Sequence, residues 1–468
     1  GKNITTKLCF LFVVININKQ YMIINIEVFN NMKLYNAIKK EYVNLEIINN
    51  NISIYLCGPT VYNHVHVGNI RPIITFDVLH RLLKQKNINV NFVHNITDID
   101  DKIIKQAAKE KVSELGLSNY YYEKYLEILK KLNIDLTIKM PKVSDHINGI
   151  INYIEQIQQK GFAYQVDGDV YFKTLNIPNY GSLSNKKTDE LEVGSRVADN
   201  NKKLSPFDFV LWKQTNEGIN WDTMFSKGRP GWHTECSYLI SQYIGKQVDI
   251  HGGGVDLKFP HHENENAQNI AINDCELAKH WIHVGHLNID NNKMSKSLNN
   301  FILAKDILSK YSSNDIRWFF YQTNYANPIN FTNQAIDSAK QSIENILYSL
   351  NIFKSYLILE NKFNMINNID KDNLFSSLLN DLNFPNAVSD INKIVKEANT
   401  LLRQKEYDQL NIKVNELILY LDVMGITYRD DHSEENIELL KKWNEYKNNK
   451  DFEKSDLLRK ELIYKKLI

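Results

Sequence analysis

The stretch from Ile52 to Lys111 limits the possible fold more than any other part of the chain. Ile52-Ser53-Ile54-Tyr55-Leu56-Cys57 alternates and is rich in β-formers, so it reads as a strand that stops at Gly58-Pro59. A helix is expected over Ile73 to Leu83, a strand over Val90 to His94, and a second helix from Thr97-Asp98 to Lys111. Strands and helices alternating with short links imply a parallel sheet with crossover helices. Ligands of such sheets gather beyond the carboxyl ends of the strands, where Cys57 and Thr97 fall. Val248-Asp249-Ile250-His251, ending in Gly252-Gly253-Gly254, reads as a later strand of the same sheet. From about Tyr120 to Lys227 the pattern changes to long helices and two aromatic-rich runs around Asp167-Gly168, a good hairpin turn, so this part reads as an insertion. After Phe331 the sequence is almost wholly helical. Leu410, Val414, Leu417, Ile418 and Leu421 share one helical face, as expected of an all-α bundle.

A chain of 468 residues has room for two or three domains. Its net charge of +1 gives no molecule-wide basic field, so any nucleic acid must be met by local patches. Four cysteines form no disulfide framework and point to a reducing compartment. The apolar run Leu8 to Ile15 is too short to span a bilayer, so no membrane association is expected.

Four segments carry the chemistry. Cys57-Gly58-Pro59-Thr60-Val61-Tyr62 runs just ahead of His66-Val67-Gly68-Asn69. Gly231-Trp232-His233-Thr234-Glu235-Cys236 leads into His261-His262-Glu263-Asn264-Glu265, and Lys293-Met294-Ser295-Lys296-Ser297 follows. In combination, and from about Met32 to the last helix, these resemble the cysteinyl-tRNA synthetase family of class I aminoacyl-tRNA synthetases. The resemblance implies an α/β fold: a Rossmann-like nucleotide-binding domain split by an insertion, then a helical bundle that binds the tRNA anticodon. The expected divisions are 32–119, 120–227, 228–290, 291–330 and 331–468. Residues 1–31 are set apart as an extension of doubtful role, with Met32 read as the natural start.

His261 and Glu265, four apart, project from one face of a helix. Two thiolates, an imidazole and a carboxylate suit Zn²⁺. Yet 179 residues separate Cys57 from Cys236, and on the residues alone two buried thiols and a surface His/Glu pair is the simpler reading. The resemblance joins Cys57, Cys236, His261 and Glu265 into one zinc site, to which the substrate cysteine adds its own sulfur. It also makes Trp232 and Thr97 the residues that wall and contact the amino acid. His66, Gly68 and Asn69 form the ATP signature: glycine admits a close approach, the helix N-terminus favours phosphate, and the two side chains donate to the α-phosphate. Asn69 stands where the family has a second His. Gly253 and Asp256 belong to a run that resembles the family's glycine turn, where an Asp approaches the nucleotide. Lys293 and Lys296 neutralise the triphosphate as pyrophosphate departs. His251 and His262 read either as orienting groups or as structural histidines.

The tail is basic, with Lys441, Lys442, Lys447, Lys450, Lys454, Arg459, Lys460, Lys465 and Lys466. Asp456-Leu457-Leu458-Arg459 is similar to the family's anticodon-domain signature, and Trp443 or Tyr446 is expected to stack on bases. The resemblance implies a cytoplasmic cysteine–tRNA ligase, monomeric rather than dimeric. Its partners would be tRNA(Cys), cysteine, and ATP with Mg²⁺. Two competing readings keep the motifs but change the role: ligation of activated cysteine to an amino sugar, or a silent RNA-binding relative with a structural zinc.

Overall fold

The computed structural model describes residues 10–17, 20–185, 202–290, 292–293 and 301–468, with backbone alone for 10–31 and 293. The expected alternation is present. Four parallel strands form the centre: β1 (Asn51–Leu56), β2 (Asn89–His94), β3 (Val248–Gly254) and β4 (Ala278–Val284). β1 pairs with β2 on one side and β3 on the other, and β3 pairs with β4. β1 and β3 are 196 residues apart at the register Ile54↔Ile250 and His251↔Tyr55, so the two halves of the sheet close only across the insertion.

The helix after β1, α1 (Val67–Gln85), starts six residues before the expected Ile73. Pro72 lies inside it; its ring fits an early helical position, and its missing N–H leaves the Gly68 carbonyl without a helical donor. β3 also runs through Gly252-Gly253-Gly254 instead of ending before them. A Cβ on Gly252 would lie 2.4 Å from the Ile282 carbonyl oxygen and from Phe76, so the strand stays in the sheet because it has no side chain there.

The insertion is a five-stranded sheet with helical flanks, and its hairpin Ala163–Val166/Asp169–Phe172 turns at Asp167-Gly168 as read from sequence. It is sewn to α3 (Glu263–Asn273), which follows α2 (Trp232–Tyr243): Gly181 N and Ser184 N donate to the buried Glu263 carboxylate at 2.9 and 2.8 Å. The expected divisions fall within elements. The helix Glu114–Lys131 crosses 119/120, the strand Lys227–Pro230 crosses 227/228, and the strand Ile329–Phe331 crosses 330/331. The strand Gln20–Asn36 likewise runs across residue 32, pairing with both Phe10–Ile17 and Glu41–Ile48.

After α4 (Ser313–Tyr321) and the strand Ile329–Phe331 the chain is helical, with α5 (Asn333–Leu359), α6 (Phe384–Gln404), α7 (Tyr407–Val423), α8 (Glu434–Asn448) and α9 (Phe452–Tyr464) as its long elements. Leu410, Val414, Leu417 and Leu421 are buried and Ile418 packs half-buried against the same core. One expectation fails. Trp443 is not offered to a base: it is buried with Leu440, Leu462 and Leu467, where it joins α8 to α9. Tyr446 stays half-buried beneath the Lys454 ammonium, 5.3 Å from its ring. Lys442, Lys454 and Lys465 pair with Glu438, Asp451 and Glu461, so the tail is less basic than its sequence. No described helix is long and apolar enough to cross a membrane.

Candidate active site

The carboxyl end of β1 delivers Cys57, and the sheet and α2 bring Cys236 to it: the two Sγ atoms are 3.9 Å apart. Asn95, just past β2, holds both cysteine segments, since its Oδ1 accepts from Gly58 N at 2.9 Å and lies 3.7 Å from Cys236 Sγ. Glu265, in the first turn of α3, reaches Cys57 Sγ at 3.6 Å through Oε1 and His261 Nε2 at 2.7 Å. His261 itself is on the distorted turn ahead of α3, not on the helix as expected, yet the four-residue spacing still brings it to Glu265. Ligand atoms of Cys57, Cys236, His261 and Glu265 all lie within 4.8 Å of one another; Cys236, His261 and Glu265 are buried, and Cys57 is part-buried at the cavity.

Electrostatics bind the cluster as tightly as geometry. Burial opposes ionisation of Glu265, but His261 and His251 hold its carboxyl well below the usual range. Burial likewise works against charge on His261, while Glu265 and Cys236 lift it to about 10. Burial pushes the Cys57 thiol up, and the hydrogen bond that Cys57 donates lowers Cys236 to about 6.

A ring of further histidines surrounds these four: His251 and His262, which the sequence leaves between orienting and structural roles, and His233 and His283, which it does not assign. His251 Nε2 stands 2.5 Å from Glu265 Oε2 and its Nδ1 3.0 Å from the Tyr55 carbonyl. His233 and His261 approach through their Nδ1 atoms at 2.9 Å. His262 Nε2 lies 3.4 Å from Cys57 Sγ, and its Nδ1 2.9 Å from His283 Nε2. Cys57, His251, His262 and Glu265 make a second set of metal-compatible donors sharing two members with the first.

Above the cluster opens a cavity of about 390 Å³, walled by Cys57, His66, Gly68, Asn69, Trp232 and Asp256 among others. Trp232 is 40% exposed and stacks on His261, ring centroids 4.3 Å apart, so it forms the wall between cluster and cavity. His66 is the N-cap of α1, and Asn69 Oδ1 accepts from the His66 backbone N–H at 3.1 Å, which leaves the Asn69 amide NH₂ as a donor. Two expected contacts are not on this wall. Thr97 is buried, its hydroxyl bonded to Glu235 Oε2 at 3.3 Å, because it follows β2 into the interior. Gly253 lies behind the cavity, where a Cβ would meet Leu257 at 2.8 Å and His262 at 3.3 Å. Lys293 is on a short strand whose backbone pairs with Asn288; Lys296 lies outside the described residues.

The family model for the class I tRNA synthetase (C) catalytic domain matches residues 44–341. The cysteine–tRNA ligase of Malacoplasma penetrans is 56% identical over 440 residues, which cover 93% of this chain and 100% of that one. The chain belongs to the cysteine–tRNA ligase family. Cysteine–tRNA ligases of Mycoplasmoides gallisepticum and Ureaplasma parvum are each 48% identical, over 93% and 92% of this chain and 100% and 99% of theirs. As a member of the cysteine–tRNA ligase family the chain is an enzyme, a ligase of the class I aminoacyl-tRNA synthetases. The fold extends further than this family. A methionyl-tRNA synthetase from Mycobacterium tuberculosis, solved with methionyl-adenylate, superposes with a TM-score of 0.57 at 14% identity, covering 80% of this chain and 89% of that one.

Proposed function

We propose that the chain activates cysteine with ATP to cysteinyl-adenylate and passes the acyl group to the 3′ end of tRNA(Cys), with Zn²⁺ held by Cys57, Cys236, His261 and Glu265 selecting the substrate thiol. The observation that carries this is the enclosed convergence of two thiols, an imidazole and a carboxylate beneath a cavity whose rim is the N-terminus of α1. The donor set is borderline-soft and fits zinc. The set containing both thiols is favoured over the one with His251 and His262. His251 is already bonded to Glu265 and to a main-chain carbonyl, as a group that orients a ligand would be. When bound, the metal supplies affinity for a sulfur that a hydroxyl does not match.

The protein's own groups do the rest. Trp232 closes one side of the amino-acid end of the cavity. The backbone N–H groups at the start of α1, with His66 and the Asn69 amide, receive the α-phosphate of ATP, which enters with Mg²⁺. A carboxylate oxygen of cysteine forms the new bond to the α-phosphorus while the bond to pyrophosphate breaks, and Lys293 and Lys296 take up the departing charge. A ribose hydroxyl of the tRNA then takes the acyl group and AMP leaves. We take the working unit as a monomer, and the free thiols suit a reducing, cytoplasmic setting.

The test is ATP–pyrophosphate exchange driven by cysteine or by serine, with metal content measured on the same sample. Strong preference for cysteine together with about one zinc per chain is expected. Full activity without metal, or near-equal use of serine, overturns the reading.

A further inference from the structure

Arg71 is the fifth residue of α1, five residues past His66 and two past Asn69, and only 1% exposed. Among the described residues no carboxylate pairs with it. Its guanidinium instead donates to four main-chain carbonyls: Gly285 and Asn327 at 2.8 Å, Asn324 at 3.1 Å and His286 at 3.4 Å. These carbonyls come from two turns. Gly285-His286 leads from β4 into the short strand Leu287–Ile289, and Asn324 to Asn327 leads from α4 into the strand Ile329–Phe331. The two short strands pair in parallel, and Asn288 of the first pairs with Lys293.

The turns cross so closely that a Cβ on Gly285 would stand 2.3 Å from the Asn327 carbonyl oxygen. Gly285 N donates to Tyr325 O at 2.8 Å, and Ile329 N to His286 O at 2.9 Å. Arg71 reaches this crossing from the α1 side. Gly285, His286 and Leu287 wall the same cavity that His66, Gly68 and Asn69 wall from the other side.

We propose that Arg71 is a positioning residue for adenylate formation: by tying α1 to the crossed turns, it sets the width of the nucleotide cavity. This rests on the reading above. A buried guanidinium is suited to the task because its fixed fork spreads five donors over separate acceptors, which an ammonium at one point does not reproduce. Arg71 touches no substrate. Its effect falls on the step that needs both walls in register, the attack at the α-phosphate, and not on the later transfer to tRNA.

Arg71→Lys keeps the charge and loses the fork, and Gly285→Ala disturbs the same crossing while leaving Arg71 intact. Each variant is expected to lose on the order of 100-fold in kcat of ATP–pyrophosphate exchange. KM for cysteine and metal content should hold at wild-type values, as should the single-turnover rate of transfer from preformed cysteinyl-adenylate to tRNA. Equal losses in exchange and transfer, a shift in cysteine KM alone, or unchanged exchange would each overturn the proposal. If Arg71→Lys fails to fold, Gly285→Ala alone decides. Wild-type protein without cysteine-dependent exchange would instead refute the underlying assignment.

Discussion

Gly58 follows the first cysteine where the chain has no room for a side chain: a Cβ there would stand 1.5 Å from the Asn95 carbonyl oxygen. Because Asn95 also receives Gly58 N and faces Cys236, a Gly58→Ala change must push apart the segments that bring the two thiols together. It is expected to lower bound zinc to well under one per chain, read by elemental analysis after gel filtration, and full occupancy would contradict it. Cys57→Ser tests the metal itself. It should abolish zinc binding and leave only the selectivity that shape and size can give, about 10–200-fold between cysteine and serine. Retained metal with undiminished selectivity in exchange assays would remove Cys57 from the ligand set.

At the scale of elements, α1 is the beam on which the molecule is assembled. Its first turn faces the cavity, Arg71 holds the crossed turns, and Asp77 meets Arg317 of α4 at 2.6 Å, both side chains fully buried. Arg317 also bonds to the carbonyls of Leu132, Asn133 and Met424, so one guanidinium joins the first half of the sheet to the end of α7. Asp77→Asn leaves that charge uncompensated and is expected to cost about 3–5 kcal/mol in urea unfolding; a loss under 1 kcal/mol would mean that the carbonyls alone suffice. The link between α7 and α8 is a second fastening. Lys354 of α5, itself buried, reaches Asp430 at 2.8 Å, and His432 lies between Asp430 and Ser355 at 2.9 Å from each. Burial opposes charge on Asp430, yet Lys354 and His432 pull its carboxyl down to about 2. The stabilisation from this ion pair is therefore complete above the unfolded carboxyl range and lost as pH falls through about 2. Asp430→Asn should cost about 1 kcal/mol locally and speed amide exchange in α8 and α9 before it does so in β1–β4; uniform acceleration would argue against a local fastening. Little of this was legible beforehand. Alternation over Ile52 to Lys111 marks the sheet because burial on two faces writes a local pattern. Arg71, Asp77 and Arg317 leave no periodic trace, since their partners are backbone atoms and one distant acid. Pro72 hid the true start of α1 because proline more often ends a helix than occupies its second turn.

For the whole molecule, the expectation that the C-terminal helices bind tRNA while the sheet carries catalysis is tested by removing residues 434–468. The truncated protein is expected to keep cysteine-dependent exchange while its KM for tRNA rises at least about 10-fold and loses part of its salt dependence; unaltered charging kinetics would deny α8 and α9 a part in binding. The cysteine cluster was recognisable from motifs, since Cys57, Cys236, His261 and Glu265 stand in distinctive runs. His233, His283 and Asn95 were not, because their meaning arises only when β1, β2, β3 and β4 lie side by side. That closure has a consequence during synthesis. The strand bearing Cys57 leaves the ribosome long before its neighbour β3, and no ion can be gripped by four donors until Glu265 has followed. On the proposed reading, a chain that stops before Glu265 would lack the full donor set, so that gaining the ion would mark the joining of β1 to β3.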